Sequence, residues 1–195
     1  RPSQNTSNGG FSIILCHPQE EAQSFATSYI PTNGSTVSRN KDQANNSGDS
    51  SLINSTEGVL YAEIAALADD SIERNIALGN GTNLQNTVEI YYNTGSQTLF
   101  FRIRANNSVV VNSGTSLTDR TQFAKAAIKY KSGEIKAFIN GVQVLSATDS
   151  FTFSNSLSEL AFDRGSGANE FEGKARCVAV FKEALTDAEL ICLTS

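Results

Sequence analysis

Methionine and tryptophan are absent from the 195 residues, and histidine occurs once. With no initiator residue, the chain is expected to derive from a longer precursor. A Ser-His-Asp or Cys-His catalytic system would have to use His17, which stands directly before Pro18 and far in sequence from most of the chain. One histidine and no CxxC pair give no zinc-site pattern. Cys16, Cys177 and Cys192 are an odd and sparse set, which argues against a disulfide framework and fits folding in a reducing compartment. Cys177 and Cys192 have apolar sequence neighbours and are expected to act as small buried hydrophobes. No apolar run approaches the roughly 20 residues of a membrane span, and no signal-peptide or lipidation pattern occurs. Membrane insertion is therefore not expected. Neither G-x-x-x-x-G-K-[ST] nor G-x-G-x-x-G is present, so there is no nucleotide cradle. Fifteen Lys and Arg against 20 Asp and Glu leave a net charge of −5, and the basic residues are scattered singly. Nucleic-acid binding wants a clustered basic face, so nucleic acid is not an expected partner.

What is present is the composition of a globular domain, 39% hydrophobic and 18% charged. Asn, Ser, Thr and Gly are abundant, as many strands joined by turns require. Residues 1–10 are polar and Gly-terminated and read as an arm. Phe11–Cys16 reads as a buried strand, and 24–32 as another that Pro31 either ends or marks as an edge. Residues 33–51 read as a long surface loop or linker. We therefore divide the chain into an N-terminal segment, 1–48, which joins or completes an upstream module, and a domain over 49–195.

From Leu52 onward strands recur at short spacing. They are expected at 58–66, 76–79, 87–92, 97–104, 108–111, 123–131, 134–139, 142–146, 157–163 and 171–181. Asn93-Thr-Gly-Ser96, Ser132-Gly133 and Asn140-Gly141 are hairpin signals, the last the strongest. Along the 87–104 hairpin, Val88, Ile90, Tyr92, Leu99, Phe101 and Ile103 share one face. Glu89, Tyr91, Phe100, Arg102 and Arg104 share the other. Thr186 and Glu189 form a T-x-x-E capping box ahead of Leu190, Ile191 and Leu193, which predicts one short C-terminal helix over 184–193. Strands every 8–12 residues with almost no helix predict an all-β sandwich or barrel, and the order of hairpins favours the sandwich.

Two stretches resemble known proteins. His17-Pro-Gln-Glu-Glu21, residues 24–32, Gly34–Arg39 and Asp42 resemble a junction of bacteriophage tail and fibre proteins. Ala127-Ile-Lys-Tyr130, 133–141, Phe171-Glu-Gly-Lys174, Val178-Ala-Val-Phe181 and Ala184–Leu190 together resemble the concanavalin A-like lectin/glucanase superfamily in its laminin-G-like branch, over about three quarters of the chain. The resemblance implies a jelly-roll β-sandwich of two antiparallel sheets that binds glycans or decorates a fibre. It also implies a virion or extracellular setting and a homotrimer through the parent fibre protein.

The glucanases of that superfamily carry E-x-D-x-x-E on a strand, which sets a nucleophile and an acid/base on one face. Nothing here matches. The nearest set, Glu63 with Asp69, Asp70 and Glu73, falls at a strand end and in a loop, so no enzyme activity is expected. No cofactor is expected except calcium, which many relatives hold on loop oxygens. Asp163, Asn169 and Glu170, around the loop Arg164-Gly-Ser-Gly-Ala168, are the candidate ligands, although turns use the same residue types.

A sugar offers an apolar face and a rim of hydroxyls, so its sites pair an aromatic platform with planar polar groups. Without Trp, a Tyr or Phe must serve. Tyr91, Phe100, Arg102 and Arg104 on the outer hairpin face are the candidates, joined by Phe138, Arg164 and Asn169. An exposed aromatic flanked by two arginines can stack on a ring and bind a carboxylate or sulfate bidentately. The expected partner is a cell-surface glycan, and the arginines point to an acidic one. The competing readings are a structural or oligomerisation module without its own ligand, and a divergent glycoside hydrolase. An open groove over these side chains favours a binder, and their burial favours a structural part.

Overall fold

The computed structural model describes residues 20, 29–31, 34–37, 47–81 and 84–195. The chain divides into two compact units, Arg1–Asp42 and Gln43–Ser195. The predicted strand Phe11–Cys16, together with His17, lies outside the described residues. Of the predicted strand 24–32, only 29–31 are described, and these carry no strand.

The second unit holds ten strands and one helix among the described residues. They are β1 (Glu57–Ala66), β2 (Arg74–Gly79), β3 (Thr87–Tyr92), β4 (Thr98–Ala105), β5 (Ser108–Ser116), β6 (Ala124–Lys131), β7 (Ile135–Ile139), β8 (Val142–Ala147), β9 (Glu159–Ala161), β10 (Gly173–Phe181) and α1 (Asp187–Thr194). They form two five-stranded sheets, ordered β10-β1-β6-β7-β8 (sheet I) and β5-β4-β3-β2-β9 (sheet II). All the pairings are antiparallel. This is the expected jelly-roll sandwich.

Alternation along the strands decides what lies between the sheets. Leu60, Ala62 and Ile64 of β1 and Ala126, Ile128 and Tyr130 of β6 meet Ile76, Leu78, Val88, Ile90, Leu99, Phe101 and Ile103 of sheet II in one cluster. Each large aliphatic or aromatic side chain so enclosed contributes roughly 1.5–3 kcal/mol by leaving water. Gly58 is required where it stands, because a Cβ there would come within 2.5 Å of the Tyr130 hydroxyl oxygen. That hydroxyl donates to the Asn54 carbonyl at 2.8 Å.

Two hairpin turns use asparagine with positive φ. At β7–β8 these are Asn140 (47°) and Gly141 (77°), as the Asn-Gly signal predicts. At β4–β5 they are Asn106 (55°) and Asn107 (67°). Asn tolerates the left-handed region better than other residues with a Cβ. After this second turn β5 runs to Ser116, five residues beyond the expected end at Val111. The extra length, Asn112-Ser-Gly-Thr-Ser116, is polar because β5 is an edge strand with one neighbour.

The helix packs on the outer face of sheet I. Leu190 joins Val59, Tyr61, Ala127 and Phe138 in a second apolar cluster, with Leu185 and Leu193 against it. The predicted capping box is formed, with the Glu189 amide donating to Thr186 Oγ1 and the Thr186 amide to Glu189 Oε2. Lys136 Nζ donates to Asp187 at 2.6 and 2.8 Å, fixing the first turn to β7. The Gly141 amide donates to Thr194 Oγ1 at 3.1 Å, fixing the last turn to the β7–β8 hairpin.

Cys177 and Cys192 are exposed, contrary to expectation. Cys177 stands on edge strand β10 opposite Glu63, on the outward side of β1. Cys192 lies between Ile191 and Leu193 on a helix that buries only Leu190 and Thr194.

Candidate functional site on the outer face of sheet II

Cross-strand register sets the outward residues of sheet II side by side. Glu89 pairs with Arg102, Tyr91 with Phe100, Phe100 with Gly114, and Arg102 with Asn112. The Tyr91 and Phe100 rings stack with centroids 5.2 Å apart and planes inclined by 26°. The Arg102 guanidinium lies 4.3 Å from the Tyr91 centroid. Gly114 is the floor beneath Phe100: a Cβ there would stand 2.7 Å from two of its ring atoms. The Tyr91 hydroxyl donates to Asn112 Oδ1 at 2.8 Å.

Glu89 is the hub of the charges. It is fully buried and accepts from Thr87 Oγ1 at 2.5 Å and from Arg102 Nε at 2.9 Å. Arg102 Nη2 also pairs with Glu89, and lies 3.6 Å from Glu73. Arg104 Nε stands 3.8 Å from Glu89 Oε1, beyond hydrogen-bond range. Burial works against the Arg102 charge, but the hydrogen bonds and charge of Glu89 outweigh it and raise the guanidinium pKa. Arg104 moves the opposite way. Burial lowers its pKa first, repulsion from Arg102 and Arg164 adds to the effect, and Glu89 offsets only part of it.

The loop after β9 covers part of this face. Gly165, at φ 79°, lies over Ala77 and Thr87; a Cβ on it would be 3.5 Å from Thr87 Cγ2. The Asn75 amide donates to the Asn169 carbonyl at 3.2 Å, and the Arg164 amide to the Ala168 carbonyl at 2.9 Å. Asn75, Ala77, Thr87 and Glu89 are consequently inaccessible. Tyr91 and Arg102 are 3% and 6% exposed, so the freely exposed aromatic flanked by arginines is not what forms. Phe100, Arg104 and Arg164 are half-buried and reach the surface beside exposed Asn112. Tyr91 and Arg102 support that surface from below.

Phe138 does not belong to this site. It lies on sheet I, fully buried under Leu190 of α1. Alternation places it off the main core, as expected, but that outer face is roofed by the helix. The calcium candidates Asp163, Asn169 and Glu170 lie in and beside this same loop. Asp163 is 3% exposed and accepts from the Gly165 amide at 2.5 Å, and the Asn169 carbonyl is taken by Asn75. Among the described residues no group of three or more His, Cys, Asp or Glu gathers to hold a metal ion, whereas calcium takes about 6–8 oxygen ligands.

The acids considered for hydrolysis are dispersed. Glu63 faces outward on sheet I and accepts from Arg176 at 3.0 Å. Glu73 meets Arg102 on sheet II. Asp70 is clamped by both terminal nitrogens of Arg74, at 2.6 and 2.7 Å. Arg74 belongs to a feature the sequence reading missed. Arg120, with no exposed surface, donates to the carbonyls of Asp70, Ile72, Asn93 and Ser96 and lies 5.1 Å from the Tyr92 centroid. This buried pair ties together the loops at one end of sheet II. Nothing in the sequence around Arg120 hints at burial; for Arg74 the one available signal was its place four residues after Asp70.

The model of the concanavalin A-like lectin/glucanases superfamily matches residues 41–191. The chain belongs to that superfamily. No curated protein matches the sequence. Among solved structures, this superfamily member is similar to the CBM40 of the Ruminococcus gnavus IT-sialidase, with TM-score 0.62 and 18% identity over 80% of this chain and 97% of that one. The same module is known bound to α2,3 sialyllactose. A SAP-like pentraxin of Limulus polyphemus is similar at TM-score 0.58 and 12% identity, over 77% of this chain and 74% of that one. The leech intramolecular trans-sialidase matches at TM-score 0.58 and 20% identity, over 72% of this chain and 23% of that one. No helix among the described residues is long and apolar enough to cross a membrane.

Proposed function

We propose that this domain is a non-catalytic carbohydrate-recognition module that binds an acidic saccharide at the Phe100–Arg104–Arg164 surface of sheet II. One observation carries the reading. Arg104 and Arg164 reach the surface half-buried and repel each other, and Glu89, the acid beside Arg104, is already engaged by Arg102 and Thr87. A carboxylate or sulfate at the accessible ends of the two side chains supplies counter-charge and relieves that repulsion. Phe100, half-buried between Tyr91 and Gly114, offers apolar surface to a sugar.

The similar sialidase module supports the choice of ligand class, since sialyllactose is a carboxylate-bearing saccharide. Dispersal of Glu63, Asp70 and Glu73 supports binding without hydrolysis. The resemblance to tail and fibre proteins extends the reading to a homotrimeric fibre on a virion or an extracellular surface, facing host glycans. The test is a glycan array with acidic and neutral members, run with and without calcium. Calcium-independent retention of acidic glycans is expected; retention of none sinks the reading.

Burial of Tyr91 and Arg102 favours a second reading, in which the face is a structural part of the fibre. A silent array together with a trimeric mass in solution would favour it.

A further inference from the structure

A second site of different chemistry lies at the edge of the sandwich. The β4–β5 turn of sheet II and the β6–β7 turn of sheet I bound an open cleft of about 490 Å³. That volume falls within the roughly 300–1,000 Å³ of small-molecule sites. Segment 150–152 forms its third side. It is held by the Phe151 amide donating to Ser132 Oγ at 2.9 Å and by Asn106 Nδ2 donating to the Thr152 carbonyl at 3.0 Å. The Asn106 amide donates in turn to Asn86 Oδ1 at 3.0 Å, so the turn is anchored from behind.

The lining is uncharged. Ser108, Ser132, Ser150, Thr152 and Asn106 supply hydroxyl and amide groups, and Phe151 supplies an aromatic wall. Phe151 packs on the core and against Phe153, with ring centroids 5.0 Å apart, so it is fixed in place. Ser108, Ser150 and Thr152 are exposed. Among the described residues no partner occupies their hydroxyls, each of which can both donate and accept.

From this lining we infer that the cleft binds a neutral saccharide. Hydroxyls that donate and accept match a sugar's hydroxyl rim, an aromatic wall matches its apolar face, and the absence of charge disfavours ionic ligands. Phosphate, carboxylate or ammonium groups would leave water here with no counter-charge. This inference is independent of the acidic-saccharide reading, because the two sites share no residue and differ in charge.

The test is an amide-resolved NMR titration of the whole chain, at millimolar concentration, with neutral tetrasaccharides of glucose, galactose, mannose and N-acetylglucosamine, and separately with sialyllactose. At least one neutral tetrasaccharide is expected to shift amides at 106–110, 132 and 150–152, and to leave those of 100–104 in place. The double variant Ser108→Ala/Thr152→Val removes two surface hydroxyls without disturbing Phe151 or the core. It should weaken that binding about tenfold, and Arg104→Ala should not change it. Absence of cleft shifts with all four neutral saccharides overturns the inference, as does equal binding by the double variant. Failure of sialyllactose alone overturns only the acidic-saccharide reading.

Discussion

The outer faces of the two sheets solve the same problem in opposite ways. Sheet I turns Val59, Tyr61, Ala127 and Phe138 outward and seals them under α1, making a second small core. Sheet II turns Thr87, Glu89, Arg102 and Arg104 outward and partly covers them with the 162–170 loop. An apolar face needs a complete roof, and its gain scales with the area removed from water. A charged face can be left partly open, and its buried members survive only because each charge has a partner. The open part is where a ligand can act, and Arg104 and Arg164 sit at its rim.

That contrast is best broken at its strongest points. Phe138→Ala should open a cavity under α1 and cost about 3–5 kcal/mol in urea unfolding, with saccharide binding retained. A cost below 1 kcal/mol would mean that the helix does not seal this face. Glu89→Gln leaves Arg102 buried without its counter-charge and should cost about 3 kcal/mol. It should also weaken binding, because Arg102 and Tyr91 support the rim; unchanged stability would show that the buried pair is not needed.

Asp70 gives a pH-dependent version of the test. Hydrogen bonding from Arg74 holds its folded pKa below the ordinary 3.8. The stabilisation is therefore fully present above the unfolded value and lost as pH falls through the lower folded one. Asp70→Asn should be less stable than the parent at pH 6, and the gap should narrow as the pH falls below the ordinary carboxylate value and the parent's carboxylate protonates. A gap constant with pH would contradict the pairing. The smallest effect is expected from Thr186→Ala, which removes the helix cap at a cost of about 1 kcal/mol.

Much of the sandwich was legible because period-2 alternation reports which side of a strand meets the core. Val88, Ile90 and Tyr92 were assigned correctly on that ground, as were the Asn140-Gly141 turn and the Thr186–Glu189 cap, whose chemistry is local. Alternation does not report what covers the other side. Phe138 and Tyr91 both alternate outward, yet a helix about 50 residues downstream covers Phe138, and Phe100, Arg102 and Asn112 of the neighbouring strands close around Tyr91. The Asn106-Asn107 turn was missed because neither central residue is glycine. Arg120 was missed because it is held by carbonyls gathered from loops distant in sequence. Of the candidate site, the outward hairpin row was visible, but its division into buried support and accessible rim was not.

The most direct test is calorimetric titration of sialyllactose into the parent chain and into Arg104→Ala, with thermal unfolding of both. The parent should bind, and the variant should bind at least tenfold more weakly with an unchanged unfolding midpoint. Equal binding by the two, or no binding by the parent, would contradict an acidic-saccharide site at the rim of sheet II.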